Sequence, residues 1–301
     1  MPLMFCGVQG SASVATASRQ VEAVLLGTVG VAAFSMTLPA TKLALHGLQP
    51  VFVSLGRALV AAALSAACLL VTRQPRPRGS QWPRLAVIGA GAVVGFPILS
   101  AYALEHLTSA HSAVITGLLP AATAVMAVLR AGERPSLTFW LACSAGAGSV
   151  LVFAWTQGAG AVSVWDLMVL AAVALAGLAY AEGASLTREL GAWQTMCWAL
   201  VLTAPLLVIP VAATAGGAAS APPESWFGLA YVSLVSMFLG MFAWYRALSV
   251  GGTARIGQLQ LAQPVLTLAW SAALLGEAVG AATVLAALAV IGSVAVTQRV
   301  R

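Results

Sequence analysis

Charged residues are scarce in this chain. Only 7% of its 301 residues are Asp, Glu, Lys or Arg, whereas an average soluble domain carries roughly 25%. Hydrophobic residues make up 60% of the chain, and a soluble fold could not cover such a composition with so few charges. The scarcity of charge therefore excludes an ordinary soluble domain and indicates that the lipid bilayer is the solvent.

Residue types that carry chemistry are equally sparse. The three histidines, His46, His106 and His111, have no zincin-like or acidic motif beside them. The four cysteines show neither metal-like nor disulfide-like spacing, and no phosphate-binding Gly-x-x-x-x-Gly-Lys-Ser/Thr motif occurs. We therefore expect no catalytic residues, no metal and no cofactor, and direct use of ATP is excluded. A membrane-embedded enzyme is the less favoured alternative, because no catalytic constellation can be assembled.

The net charge of +6 does not indicate a nucleic-acid partner. Lys and Arg stand singly or in short groups beside apolar runs instead of forming a basic face. The expected partners are a small-molecule substrate and the lipid bilayer.

Apolar runs long enough to cross a bilayer recur along the chain. Residues 1–21 are expected to form a loose N-terminal tail without the cationic start of a secretory signal. The runs between charges and turn residues predict an all-α membrane protein with ten transmembrane helices, at about 24–44, 51–71, 84–104, 109–129, 136–155, 165–186, 193–213, 226–247, 254–274 and 278–297.

The positive charges predict the orientation of these spans. Alternate connections, counted from the N-terminus, hold twelve of the fourteen Lys and Arg residues, and such connections stay in the cytoplasm. Lys42 lies on the opposite side, and Arg57 falls inside the second span. Both termini are therefore predicted to be cytoplasmic, and a nine-span interpretation would break the alternation.

The two halves of the chain are related by a repeat. At an offset of 144 residues Pro120 aligns with Pro264 without a gap, and Gly132-Glu133 aligns with Gly276-Glu277. The predicted repeats cover residues 22–157 and 165–298, with five spans each. An odd number of spans places the second copy in the membrane in the opposite sense, so the repeats are inverted and enclose a central cavity.

These motifs carry a resemblance to a known family. Two five-span halves, each with a proline thirteen residues before a Gly-Glu pair, resemble the EamA domains of the drug/metabolite transporter superfamily. The chain is similar in length and organisation to bacterial exporters of amino acids and metabolites, including the YddG type that exports aromatic amino acids. The resemblance implies a bacterial inner-membrane transporter with a basket of helices around a central cavity.

Inverted repeats predict a solute site at mid-depth between the halves. In the ninth span, three side-chain amides stand just before Pro264, namely Gln258, Gln260 and Gln263. Amides at that depth either face a wet cavity or bind a partner helix. Pro39, Pro120 and Pro264 each remove a backbone hydrogen bond, which produces either a hinge at the site or a simple packing kink.

The remaining candidate cavity residues are polar or aromatic groups in the other spans. Glu182 either reaches this cavity or extends to the cytoplasmic surface, and Arg57 either binds a carboxylate or extends to the outer interface. The other candidates are Ser35, Met36, Thr37, Lys42, Ser100, Tyr102, Thr116, Tyr180 and Trp244. Glu133 and Glu277 are interpreted instead as caps, each at the start of its own helix.

The function predicted from these patterns is secondary transport by alternating access, and the resemblance implies export or uniport of small metabolites, above all amino acids including aromatic ones. No Asp or Glu lies at the predicted centre of a span, which favours uniport or solute exchange over obligatory proton coupling. The alternatives are a channel, or a carrier of nucleotide sugars or other metabolites and drugs, although such polyanions require several basic residues. One chain contains both repeats, so oligomerisation is not required.

Overall fold

The computed structural model describes residues 6–131, 136–157, 162–251, 256 and 258–300, and the side chains of most of these. Every regular element in these ranges is helical. Glu133 lies outside them, as does the side chain of Gln258, so those two predictions have no structural counterpart.

The helices follow the predicted spans closely. Seven helical stretches within the described ranges are long and apolar enough to cross a membrane, and three shorter apolar helices accompany them. In chain order the α-helices are α1 (Cys6–Ser35), α2 (Thr37–Ala44), α3 (Pro50–Val71), α4 (Trp82–Ile88), α5 (Phe96–His106), α6 (Ser109–Thr116), α7 (Leu119–Ala131), α8 (Leu137–Gln157), α9 (Val164–Leu190), α10 (Ala192–Ala213), α11 (Pro223–Ala230), α12 (Met241–Gly251), α13 (Gln263–Leu275) and α14 (Ala281–Val300).

Several elements extend beyond their predicted bounds, and α1 and α9 are two of them. Helix α1 begins at Cys6 and so occupies most of the segment expected to be a loose tail. Its Ser- and Ala-rich start contains no proline, which allows the helix to continue backwards from the apolar span. Helix α9 ends at Leu190 rather than near residue 186, because its last turns are held by polar contacts described below.

Several spans contain breaks at defined residues. The third and eighth spans pass through π-helical stretches at Gly89–Gly95 and Tyr231–Gly240. In the first span, α1 and α2 are separated at Met36, three residues before Pro39. The repeat-related residues Pro120 and Pro264 each stand at the second position of a helix, α7 and α13 respectively. A proline is tolerated at such a position, where its missing N–H has no helical partner.

Small residues bring the third span against α9. A Cβ added at Gly91 would lie 2.4 Å from the carbonyl oxygen of Leu175 and 2.9 Å from the Cβ of Ala179. The contact therefore requires glycine. It places the third span of the first half directly against the first helix of the second half.

The variant Gly91→Ala is expected to destabilise the protein by about 1–3 kcal/mol, because the added methyl group overpacks this contact. The matched control is Gly148→Ala in α8, where an added Cβ meets nothing within 4 Å; there alanine is expected to be neutral or stabilising. Thermal unfolding in detergent measures both. Equal melting temperatures for the two variants would contradict the close packing.

Candidate functional site

A small cavity lies between the two halves. Its polar lining comes from Thr37 and Arg57 of the first half and from Tyr180, Ser236 and Gln263 of the second. The apolar lining consists of Phe34, Ala92, Phe96, Leu119, Ala176, Met237 and Met241. The cavity has a volume of about 50 Å³, enough for a few water molecules. A larger solute fits only if the surrounding helices move apart.

Arg57 is the cationic side chain of this cavity. The residue is 5% exposed, and its guanidinium forms no ion pair or hydrogen bond with any residue that the structure describes. Its Nε is a buried donor without a partner. The position follows from α3, which begins at Pro50 and therefore carries Arg57 about two turns into the span. An unpaired guanidinium so deeply buried is available to a ligand.

The two halves meet across the cavity through hydroxyl groups. Thr37 Oγ1 and Ser236 Oγ are 2.8 Å apart, and both residues are buried. Nearby, Pro39 has no N–H to offer to the carbonyl oxygen of Ser35. Thr267 Oγ1 of α13 donates to that oxygen at 2.7 Å instead. The predicted hinge proline thus leaves a carbonyl free, and the second half binds it.

A second, smaller cavity adjoins the first, and Leu119 and Gln263 contribute to both. Its lining includes the repeat-related prolines and three further polar residues: Thr116, Pro120, Gln260, Pro264 and Thr267. The Nε2 atom of Gln260 is buried without a partner in the described part of the chain. The helix breaks of both repeats therefore meet beside the main cavity.

At one end of the molecule an ion-pair cluster joins the halves. Arg84 forms an ion pair with Glu182, which is 2% exposed, and a second ion pair of 2.5 Å with Glu189. Its Nη2 also donates to Ser185 Oγ at 2.9 Å, and Gln81 Nε2 donates to Glu189 at 3.2 Å. These five residues are the Arg84 cluster. Glu182 is thus bound by an arginine of the other half, which differs from both interpretations open to the sequence.

At the other end, Glu277 connects the halves. Its carboxylate accepts hydrogen bonds of 2.9 Å from the backbone N–H groups of Ser109 and Ala110. The Oγ atoms of Ser109 and Ser271 are 2.7 Å apart. The expectation that Glu277 begins its own helix is therefore wrong. It follows the end of α13 and caps α6 of the first half, whose first amides would otherwise lack partners.

Two further contacts belong to this second end. His111 Nε2 lies 2.6 Å from Asp166 Oδ1, which joins the starts of α6 and α9. Lys42 donates to the carbonyl oxygens of Leu104 and of Leu107, the latter at 2.9 Å. Together the side chains at this end form the Glu277 cluster: Lys42, Ser109, His111, Asp166, Ser271 and Glu277.

Helix α9 sets the distance between the clusters. Asp166 in its first turn belongs to the Glu277 cluster, and Glu189 near its end belongs to the Arg84 cluster. The 23 intervening steps correspond to about 35 Å at 1.5 Å per residue. Ala176, which lines the main cavity, lies between them. The cavity is therefore near mid-depth, with contacts between the halves on either side.

The structure brings only some of the predicted site residues to the cavities. Thr37, Arg57, Tyr180 and Gln263 line the main cavity, and Thr116, Gln260, Gln263 and the two repeat prolines line the second. Ser35 contacts α13 through Thr267 and through Trp270 Nε1, which donates to its Oγ at 3.1 Å.

Other predicted residues lie outside both linings. Lys42 and Glu182 belong to the end clusters, and Ser100 donates to the carbonyl oxygen of Phe96 at 2.6 Å within its own helix. Trp244 packs edge-on against Phe34, with ring centroids 6.2 Å apart. Met36 forms the helix break, and Pro39 and Tyr102 are likewise absent from the two linings.

Sequence reasoning missed the apolar part of the main cavity and the hydroxyl group of Thr267 in the second. Phe34, Phe96 and Met241 look like any other lipid-facing or core residue in an apolar span. Thr267 carried a usable signal, because it aligns with Thr123 in the repeat. Polar identity at a repeated position is informative in a chain so rich in Ala, Leu and Val.

Comparison with known proteins adds the following. The family model described as the EamA-like transporter family matches residues 21–155 and 163–298. The uncharacterized transporter YdeK of Bacillus subtilis (strain 168) is 45% identical over 281 residues, which cover 91% of this chain and 96% of that protein. A probable terminal-alkyne amino-acid exporter of Streptantibioticus cattleyicolor is 22% identical over 249 residues, covering 82% and 83% of the two chains.

Solved structures also match the chain, and one of them is a crystal structure. Its TM-score is 0.61 at 16% identity, and the alignment covers 92% of this chain and 96% of the other. At this identity the likeness shows a shared fold and nothing about substrate.

Proposed function

The chain belongs to the EamA-like transporter family, and from this premise we propose that it is a secondary transporter that moves amino acids or similar metabolites by alternating access. It is an integral membrane protein. We place it in the bacterial inner membrane with both termini in the cytoplasm, and assign export or uniport as its mode of transport. The repeats at 22–157 and 165–298 form the two halves, and one chain suffices for a pathway.

One observation carries this proposal. A cavity near mid-depth is lined by both halves, and polar clusters that join the halves lie on either side of it. Alternating access requires a central site and contacts that break at one end at a time. Charged contacts between halves suit this role, because their loss on opening is offset by hydration of the separated groups.

The ten-span, inverted arrangement is part of the proposal. We propose that the seven long apolar helices and the three shorter ones together form the ten crossings. The π-helical stretches at Gly89–Gly95 and Tyr231–Gly240 are compatible with crossings, since helix interruptions are tolerated in a bilayer where protein surrounds them.

Amino acids are the substrate class that we propose. The Streptantibioticus cattleyicolor relative is named an amino-acid exporter. In this chain, Phe34, Phe96 and Met241 offer an apolar surface beside polar groups, as an apolar or aromatic amino acid requires. A nucleotide sugar fits less well, because Arg57 is the one cation among the described lining residues.

The test is counterflow in proteoliposomes. Proteoliposomes that contain the purified protein and are loaded with unlabelled amino acid are expected to accumulate labelled amino acid transiently and saturably, without ATP. A panel of labelled amino acids that includes the aromatic ones covers the proposed class. Linear, non-saturable flux would indicate a channel instead.

The variant Ser236→Phe is expected to reduce this counterflow at least about tenfold, because the new ring fills space that holds only a few waters. The matched control is Leu234→Phe in the same π-helical stretch, at a residue that is 42% exposed and faces away from the cavity. Comparable rates for both variants, at equal protein yield, would place the solute pathway elsewhere.

A further inference from the structure

We infer that the cavity recognises a free carboxylate on its substrate, and that Arg57 is the group that binds it. This inference rests on the proposed function, since it names the substrate chemistry of the same site. It predicts that acids are accepted and that the corresponding amides and amines are not.

The first argument is the cost of the buried cation. A charged side chain at depth in a membrane protein is stable only when it is paired or faces a wet cavity. Arg57 has no hydrogen-bond or ion-pair partner among the described residues, although it is only 5% exposed. A protein that keeps such a group gains from an anion that binds it during the transport cycle.

The second argument is that the acids of the chain are occupied elsewhere. The sequence has eight Asp and Glu residues, and all except Glu133 have described side chains. Glu182 and Glu189 bind Arg84, Asp166 faces His111, and Glu277 caps α6. Glu22 pairs with Arg246 at the protein surface, and Glu105 and Glu224 are exposed. Each of these seven is engaged or lies outside the cavity lining.

The third argument is the chemical character of the side chains that line the cavity around Arg57. A guanidinium binds a carboxylate through two parallel hydrogen bonds. The hydroxyl groups of Thr37 and Ser236 and the Tyr180 ring lie on the same cavity and can bind the other polar groups of a solute. Phe34 and Met241 on its apolar side suit a hydrophobic body.

The same lining predicts that the cavity binds the amino group of the substrate only weakly. No described lining residue is acidic, so an ammonium group meets only neutral acceptors there. Recognition therefore depends on the carboxylate, and a deaminated acid is expected to bind nearly as well as the amino acid itself.

The experiment measures ligand-induced thermal stabilisation of the purified protein with two series of compounds. The aromatic series is phenylalanine, 3-phenylpropionate, phenylalaninamide and phenethylamine. The aliphatic series is leucine, 4-methylpentanoate, leucinamide and 3-methylbutylamine. In at least one series, the two acids are expected to stabilise the wild-type protein, and the amide and the amine are expected to have no effect.

Three variants connect the effect to Arg57. Arg57→Gln is expected to weaken binding of the acids about tenfold to hundredfold, the loss of a charge-assisted bidentate contact, and Arg57→Lys is expected to retain part of it. The empty Arg57→Gln protein is expected to melt at or above the wild-type temperature, because an unpaired buried charge is gone. Arg76→Gln, at an exposed position, is the charge-matched control and is expected to behave like the wild type.

The outcomes separate the inference from the proposed function. Stabilisation by amides or amines equal to that by acids would overturn the inference, as would full binding of acids by Arg57→Gln or no binding of acids by the wild type. If acids bind through Arg57 but no counterflow occurs, the inference stands and the transport proposal fails. If counterflow occurs equally with amides, the transport proposal stands and the inference fails.

Discussion

Oxidation is expected to stop transport completely in the double variant Ser109→Cys/Ser271→Cys, and reduction is expected to restore it. Ser109 belongs to the first half and Ser271 to the second, and their Oγ atoms are 2.7 Å apart. A disulfide at these positions would tie the halves together at the Glu277 cluster. If the solute leaves or enters the cavity at this end, the tie prevents every transport cycle.

The geometry at these positions favours the bond. With hydroxyl oxygens 2.7 Å apart, the two Cβ atoms lie at most about 5.5 Å apart, close to the roughly 3.5–4.5 Å that a disulfide spans. Glu277 holds the N–H groups of Ser109 and Ala110, so the backbone at this position is fixed. The measurement is counterflow in proteoliposomes, in a background in which the four native cysteines are replaced by serine or alanine.

Each single cysteine variant is the control for the double one. Under the same oxidant the single variants are expected to transport at their reduced rate, and gel mobility of a chain cleaved between the repeats shows whether the disulfide has formed. Undiminished transport by the fully cross-linked protein would show that the halves do not separate at the Glu277 cluster, and alternation at that end would be excluded.

The second large effect is expected at the Arg84 cluster. Arg84→Ala removes a positive charge from beside Glu182, which is 2% exposed, and from Glu189. We expect a loss of about 3 kcal/mol of unfolding free energy, the lower end of the range for breaking a buried ion pair. The lower end is appropriate because the Arg84 side chain is itself 25% exposed and Glu182 has further contacts.

Thermal unfolding followed by the fluorescence of the nine tryptophans measures this loss. Arg76→Ala at an exposed position is the matched control and is expected to change the melting temperature very little, because exposed charges contribute little to stability. A double variant Arg84→Ala/Glu182→Gln is expected to recover part of the loss, since the buried negative charge is then also removed. If Arg84→Ala had the same melting temperature as the Arg76→Ala control, the ion pair would not stabilise the contact between the halves.

The architecture was predictable because lipid imposes strong rules on sequence. Helices α3, α6 and α10 begin within a residue of their predicted positions, since an apolar run of span length between turn residues has few other structures available. The family was predictable for a related reason. The Pro120 and Pro264 pair and the Gly-Glu pairs keep one spacing, and such coincidences survive even in a chain of low complexity.

The site was less predictable, because depth in the membrane does not determine which neighbour a side chain meets. Arg57 and Lys42 looked alike as single cations near the outer boundary. The structure turns Arg57 into the cavity, whereas Lys42 binds the last carbonyls of α5. Glu277 likewise looked like a cap for its own helix and instead caps α6. Such partners come from helix packing between halves, about which hydropathy and spacing contain no information.

Helix α9 is one continuous rod of 27 residues that meets the first half near both of its tips and lines the solute space near its middle. A rod tilting about its midpoint swings its tips in opposite directions. A tilt that moves Asp166 away from His111 therefore moves Glu189 towards Arg84, and the reverse tilt has the opposite effect. In the proposed transport cycle, such a tilt would make the two exits mutually exclusive, and the stiffness of a single helix would prevent a leak through the membrane.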